Sequence, residues 1–265
     1  MKKKILAFTL VIVMLAIAIV GGTLAYFTDT DEAKNTMTVG NIAIEQTEWQ
    51  RNANHDGFVV FEQDKLMMPA VYAEGSNDQA DYQTYFNDAD SLNIANGQAW
   101  SDFWSEENGQ YNALDKIVVV ENTGDYDVYY RTLIAIEAPT DDWNDSWGGE
   151  SGLVMNYNSN NRFTWDFAIC QIEINGVKYI VHEALYTDVL TPEEMSRPSL
   201  LQVMFDNDTT QEEVAAYGDT VDILCLTQAV QVEGFDQVGG ADVALNTAFG
   251  EVDAVNAAAW FAPIA

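Results

Sequence analysis

The stretch from Phe163 to Glu183 reads FTWDFAICQIEINGVKYIVHE. Two runs rich in β-branched and aromatic residues, 163–174 and 177–183, flank the dipeptide Asn175-Gly176. Asn-Gly between two such runs is the strongest short-range signal for a two-residue β-hairpin, because both turn residues adopt positive φ readily. The stretch therefore predicts a pair of long antiparallel strands.

Strand patterns continue on both sides of this hairpin. Apolar or alternating runs occupy 116–121, 128–137 and 220–233, and the turn residues Asn122 to Asp125 separate the first two. Arg131 lies on the side opposite the apolar positions of its run, so we expect it to pair with a carboxylate. Strands without regular βα alternation predict an antiparallel β-sandwich. Short helices are predicted in the loops, beginning at a Thr191–Glu194 capping box and covering 211–217, 241–249 and 253–261.

The composition excludes several classes of partner. The 265 residues include 42 Asp and Glu against 11 Lys and Arg, a formal net charge of −31. Recognition of nucleic acid and docking on anionic membranes both need clustered cations, so neither is expected. An aromatic content of 12% separates the chain from disordered acidic tails. The sequence therefore predicts an ordered, strongly acidic protein.

The N-terminal segment has the pattern of a secretory signal peptide. Three lysines, residues 2–4, precede the apolar run 5–20, and Thr23 and Ala25 supply small residues before Tyr26. Cleavage is expected between Ala25 and Tyr26. The alternative is a retained membrane anchor, although sixteen apolar residues are fewer than the roughly 20 that a spanning helix needs. We expect a secreted protein with no membrane association after cleavage.

Gly21 to Glu45 reads GGTLAYFTDTDEAKNTMTVGNIAIE and resembles the N-terminal region of the TasA/camelysin family of Gram-positive bacteria. The stretches 120–125 and 228–235 are similar to the wider group of such exported proteins. The resemblance implies export through a SipW-type signal peptidase, location in the extracellular matrix or at the cell surface, and a jelly-roll sandwich. Resemblance to TasA in particular implies a structural role, as a subunit of matrix or biofilm fibres.

The same N-terminal stretch suggests how such subunits would associate. Residues 36–45 are predicted to form a strand, which is either an ordinary first strand of the sandwich or part of a donor strand, residues 26–45, that adds to a sheet edge of the next subunit. Met37, Val39, Ile42 and Ile44 would fill alternate pockets of that subunit. Residues 46–115 are rich in Asn, Asp, Gln and Gly and are interpreted as an irregular insertion, and 116–265 are expected to form most of the sandwich.

Camelysin-like proteins have been classed as metallopeptidases, which makes an extracellular peptidase the main alternative function. A zinc peptidase helix needs two histidines in an HExxH arrangement. His182-Glu183 is followed by Ala184, Leu185 and Tyr186, and His55, the other histidine, lies in a polar segment. We therefore expect no catalytic residue, no metal site and no cofactor.

Three further possibilities stay open at this stage. Cys170 and Cys225 both lie in predicted strands, where they form either one disulfide or two separate buried thiols. Acidic pairs near residues 88, 141 and 206 favour solvated loops over calcium sites, since none fits an EF-hand loop. A monomeric surface module that binds glycan or protein would use four tryptophans, Trp100, Trp104, Trp143 and Trp147.

Overall fold

A computed structural model describes residues 28–32, 42–51, 58–63, 65, 67, 114–139, 152–158, 162–205, 209–235 and 239–264. The expected cleavage residues Thr23, Ala25 and Tyr26 lie outside these ranges. So do Met37, Val39, His55, the four tryptophans of the surface-module alternative and the acidic pairs considered for calcium.

Eleven strands and three short helices are found in the described residues. The strands are β1 Thr28–Glu32, β2 Ile44–Arg51, β3 Phe58–Val60, β4 Leu114–Asp115, β5 Ile117–Asn122, β6 Val128–Glu137, β7 Leu153–Tyr157, β8 Phe163–Ile174, β9 Val177–Tyr186, β10 Leu200–Phe205 and β11 Ile223–Gln231. The helices are α1 Gln211–Ala216, α2 Ala241–Phe249 and α3 Ala254–Phe261.

The strands form two antiparallel layers. One layer is a five-stranded sheet in the order β1-β11-β6-β9-β8. The other contains β3-β2-β5 and β4-β10-β7, which are joined where Lys116 N donates to Leu201 O at 3.1 Å and Ser199 N donates to Val118 O at 2.9 Å. Sheet neighbours such as β1 and β11 come from distant parts of the chain. The expected antiparallel, jelly-roll-like sandwich with short helices is thus confirmed.

The main hydrophobic core lies between the two layers. Ile44 of β2 and Val120 of β5 pack with Tyr130, Tyr186 and other residues of the five-stranded sheet. Burial of these side chains supplies the main driving force for closing the sandwich.

The helices α2 and α3 cover the outer face of the five-stranded sheet. Leu245 of α2 packs on Val230 of β11, and Phe261 of α3 packs with Leu133 of β6 and Val181 of β9. Both faces of this sheet are therefore buried, which explains the nearly continuous burial of β6. Within the described residues, no helix has the length and hydropathy needed to cross a bilayer.

The hairpin predicted around Asn175-Gly176 is formed by β8 and β9. Asn175 has φ 53° and Gly176 has φ 88°, the positive values that a type I′ turn requires. The strands pair from Ile174 opposite Val177 back to Phe163 opposite Tyr186, with an irregularity between Asp166 and Cys170.

Three of the four predicted helices are present, and the prediction of a helix beginning at Thr191 is wrong. The Glu194 carboxylate does accept from Thr191 N at 3.0 Å, as in a capping box. However, Glu193 adopts φ 63°, its N–H donates to Asn122 O at 2.8 Å, and Glu194 O accepts from Asn122 N at 2.9 Å. Pairing with the end of β5 thus takes the backbone groups that a helix would need, and the segment is a turn.

Candidate functional site

The strand β1 forms one edge of the five-stranded sheet. It pairs antiparallel with β11, from Thr28 opposite Val230 to Glu32 opposite Leu226. On its other side β11 pairs with β6 along its whole length. Within the described residues, β11 is the only strand that pairs with β1. Main-chain hydrogen bonds of this kind are available to any strand of suitable length, so an edge strand can be exchanged for a copy of itself.

The second part of the expected donor segment is held quite differently. Ile42 and Ile44 are fully buried in the core of their own chain, and β2 lies between β3 and β5. β2 continues past Glu45 to Arg51, and β3 and β4 also fall within residues 46–115 that were expected to be irregular. In this fold, Ile42 and Ile44 fill pockets of the same molecule.

A buried row of polar side chains connects β2 to the five-stranded sheet. Thr227 Oγ1 donates to Gln46 Oε1 at 2.6 Å, and Gln46 Nε2 donates to Cys225 O at 3.4 Å. The hydroxyls of Thr132 and Thr227 lie 3.0 Å apart. Buried polar groups are tolerated when they form hydrogen bonds with one another in this way. The row also fixes the position of β2 relative to β11 across the sandwich.

An ion pair continues this row. Lys116 Nζ lies 2.5 Å from Glu48 Oε2, and the two side chains are 6% and 12% exposed. The ammonium group also lies 4.7 Å from the centroid of the Phe61 ring. Sequence patterns did not indicate this pair, because Glu48 and Lys116 are 68 residues apart and become neighbours only when β2 pairs with β5.

Cys170 and Cys225 are both free thiols. Cys170 lies on β8 and Cys225 on β11, three strand spacings apart in the sheet, or about 14 Å. They also pack on opposite faces, Cys170 under α3 and Cys225 in the core. Because a disulfide requires Cα atoms within about 7 Å, the alternative of two separate thiols describes this fold. Burial raises the pKa of Cys170 to about 11 and raises that of Cys225 further, which disfavours the reactive thiolate form of both.

His182 lies inside the sandwich. It is 2% exposed, and burial lowers its pKa to about 4. Its Nδ1 accepts a hydrogen bond from Ala168 N at 3.2 Å. A zinc ligand would need that nitrogen or the other one to face an open site. Among the described residues, no group of three or more His, Cys, Asp or Glu side chains is close enough to hold a metal ion.

Arg131 pairs with a carboxylate, as predicted, and its buried side chain connects the sheet to α2 through hydrogen bonds and to α3 through the Trp260 ring, whose centroid is 5.4 Å from Cζ. Its guanidinium donates to Glu183 Oε1 at 3.3 Å, Gln228 Oε1 at 2.9 Å, Asn246 Oδ1 at 2.8 Å and Gly250 O at 2.9 Å. Burial lowers the pKa of Arg131 and raises that of Glu183, and the ion pair opposes both shifts. These contacts satisfy the guanidinium within the chain, so its role is structural.

Comparison with family models, with curated proteins and with solved structures finds no match for this chain.

Proposed function

We propose that this protein is a secreted structural subunit that assembles into extracellular fibres by exchange of its N-terminal strand. The observation that carries the proposal is the position of β1. It follows the expected cleavage site after Ala25 by two residues, lies at a sheet edge, and pairs with β11 alone among the described strands. The resemblance of residues 21–45 to TasA-like proteins supports the same role.

In the exchange, β1 of one copy leaves its own β11 and pairs with β11 of the next copy. The register from Thr28–Val230 to Glu32–Leu226 is kept, so the hydrogen bonds lost within one copy are regained between copies. Such a contact is head-to-tail and does not close on itself, which leads to a filament. The donor is shorter than residues 26–45, because the chain from Ile42 onward belongs to its own core.

Net charge controls when copies approach each other. The full chain carries −31 at neutral pH, and the chain that begins at Tyr26 has lost three lysines and no acidic residue, which makes it −34, so copies repel over distances set by the ionic strength. We therefore expect filament yield to increase with acid, salt or divalent cations. A yield that is constant from about pH 4 to 8 and unaffected by calcium would contradict this part of the proposal.

The test is to delete residues 26–32 from the chain that begins at Tyr26. The deletion removes β1 and leaves Ile42 and Ile44, so the sandwich keeps its core. We expect monomers with an unchanged far-UV CD spectrum and no filaments by electron microscopy. Filaments formed by the variant that lacks residues 26–32 would contradict strand exchange by β1.

Two proline variants provide a matched pair. Asp29 lies opposite Ala229 and Thr30 lies opposite Gln228. Neighbouring residues of a strand direct their N–H groups to opposite sides, so only one of Asp29→Pro and Thr30→Pro removes a hydrogen bond to β11. Because the register is the same within and between copies, that variant should weaken β1 pairing in monomer and filament alike. Hydrogen exchange of the β11 amides opposite β1 should be about tenfold faster in that variant and little changed in the other. Equal effects would argue against backbone pairing by β1.

A further inference from the structure

The strand β8 forms the opposite edge of the same sheet and contains a bulge. Asp166 pairs with Glu183 and Cys170 pairs with Val181, so β8 has two more residues than β9 over this interval. Ala168, at its centre, adopts φ 51°, an uncommon value for alanine. The side chain is buried against Ala138 and Ile180. The backbone N–H of Ala168 is therefore buried away from the regular ladder and needs another acceptor.

His182 supplies that acceptor. This residue lies on β9 opposite the bulge, and its Nδ1 accepts from Ala168 N at 3.2 Å. The Phe167 ring packs edge-on to the imidazole with centroids 5.9 Å apart. Accepting at Nδ1 requires that this nitrogen carry no proton, so the neutral ring carries its hydrogen on Nε2.

The surroundings of His182 are apolar. On β6 it lies opposite Ile134, which packs with apolar residues of β7 and β10. Two tyrosines share this part of the core: Tyr217 packs in the cluster that contains Ile134, and Tyr157 packs on Phe167 with ring centroids 4.9 Å apart. Burial raises the pKa of Tyr157, so this group stays uncharged in acid. The acidic and basic groups are on the other face or further away. Glu183 and Asp166 are on the other face of the sheet, and Cys225, with Glu48 and Lys116 beside it, is two strands away. Burial alone lowers the pKa of His182, to about 4.

We propose that His182 is a proton-sensitive clasp, whose neutral imidazole holds the bulge of β8 and whose protonation at Nδ1 releases the middle of that strand. Protonation converts Nδ1 of His182 from an acceptor to a donor. Two N–H groups, one of the imidazole and one of the Ala168 backbone, then point at each other and cannot form a hydrogen bond. The bulge then loses the hydrogen bond that offsets its missing ladder contact. The clasp acts within one copy and does not require exchange of β1.

The test measures hydrogen–deuterium exchange by mass spectrometry on dilute protein, corrected for the pH dependence of intrinsic exchange. The probe is the Ala168 amide, and the reference is the Ile172 amide on the same strand, which lies beyond the bulge opposite Tyr179. Between pH 6 and pH 3 we expect protection of Ala168 to fall about tenfold and that of Ile172 to change little.

Two variants separate the clasp from general loosening in acid. His182→Asn places an oxygen acceptor at the same number of bonds from Cβ as Nδ1 and does not titrate, so Ala168 protection should vary less than about twofold with pH. His182→Leu has no acceptor, so protection should be low at both pH values. If the wild type keeps Ala168 protected at pH 3, or if His182→Asn loses protection in parallel with it, the clasp is overturned. The asparagine variant decides the matter even if the leucine variant does not fold.

Discussion

The strands β1 and β2 are close in sequence but occupy different positions in their sheets. β1 contributes backbone pairing on one side, at the edge of a sheet. β2 pairs on both sides, buries Ile44 completely and adds the polar row of Gln46 and the ion pair of Glu48. Backbone pairing can be transferred between copies, whereas side-chain packing ties a strand to its own core. Under the proposed exchange, the boundary between exchanged and fixed chain lies between Glu32 and Ile42.

The largest expected effect comes from breaking the ion pair of β2. Glu48→Ala leaves Lys116 buried without its carboxylate, which should lower the free energy of unfolding by about 3–5 kcal/mol. The matched control is Glu48→Leu combined with Lys116→Met, which should cost far less because no charge stays buried. Urea denaturation of monomers measures both. Equal losses in the two variants would show that the charge itself is unimportant.

A smaller loss is expected from the apolar part of β2. Ile44→Ala should cost about 2–5 kcal/mol, since it removes a fully buried side chain and leaves a cavity. Deletion of residues 26–32 should cost less than this in the same denaturation experiment, although we expect it to prevent filament formation. If the deletion is the more destabilising change, β1 is as much a part of the folded unit as β2.

Acid should act on the fold through His182, separately from its effect on association. The folded pKa of about 4 lies below the ordinary 6.5, so the unfolded chain binds the proton first. This contribution to stability is complete above pH 6.5 and is lost as pH falls toward 4, by up to about 3 kcal/mol. Glu183 and Glu137 work in the opposite direction, because burial raises their folded pKa and protonation then favours the folded state.

The comparison of wild type with His182→Asn isolates the histidine. The difference in unfolding free energy between the two proteins should change with pH between 6.5 and 4 and should be constant above pH 7. A difference that does not vary with pH would mean that His182 titrates normally in the folded protein.

The smallest expected effect concerns the rate at which the Cys225 thiol is alkylated. Cys225 is buried and its backbone carbonyl accepts from Gln46 of β2, so its thiol should become reactive only if β2 detaches. Alkylation without reductant should leave Cys225 unlabelled in both monomers and filaments, and denaturant should expose two thiols. Labelling of Cys225 in filaments alone would mean that the exchanged segment includes β2.

Local signals in the sequence identify the β8–β9 hairpin and the three helices that form, because turn and cap residues act on their immediate neighbours. The Thr191 segment shows the limit of this reasoning. Its capping residues are present, but pairing with Asn122, about 70 residues earlier, determines its conformation. The boundary between β1 and β2 and the ion pair of Lys116 with Glu48 have the same origin. Both depend on strand pairing, which periodicity in one segment does not specify.

The pairing of β1 with β11 also affects the order in which the chain can fold. Thr28 meets Val230 about 200 residues later, and Gln46 meets Thr227 after 181 residues. The hydrogen bonds from Arg131 to Asn246 and Gly250 likewise form only after α2 has folded onto the sheet. When a chain becomes available for folding from its N-terminus onward, the five-stranded sheet cannot be completed until residues 223–231 are also available. Completion of this sheet is therefore a late step in folding.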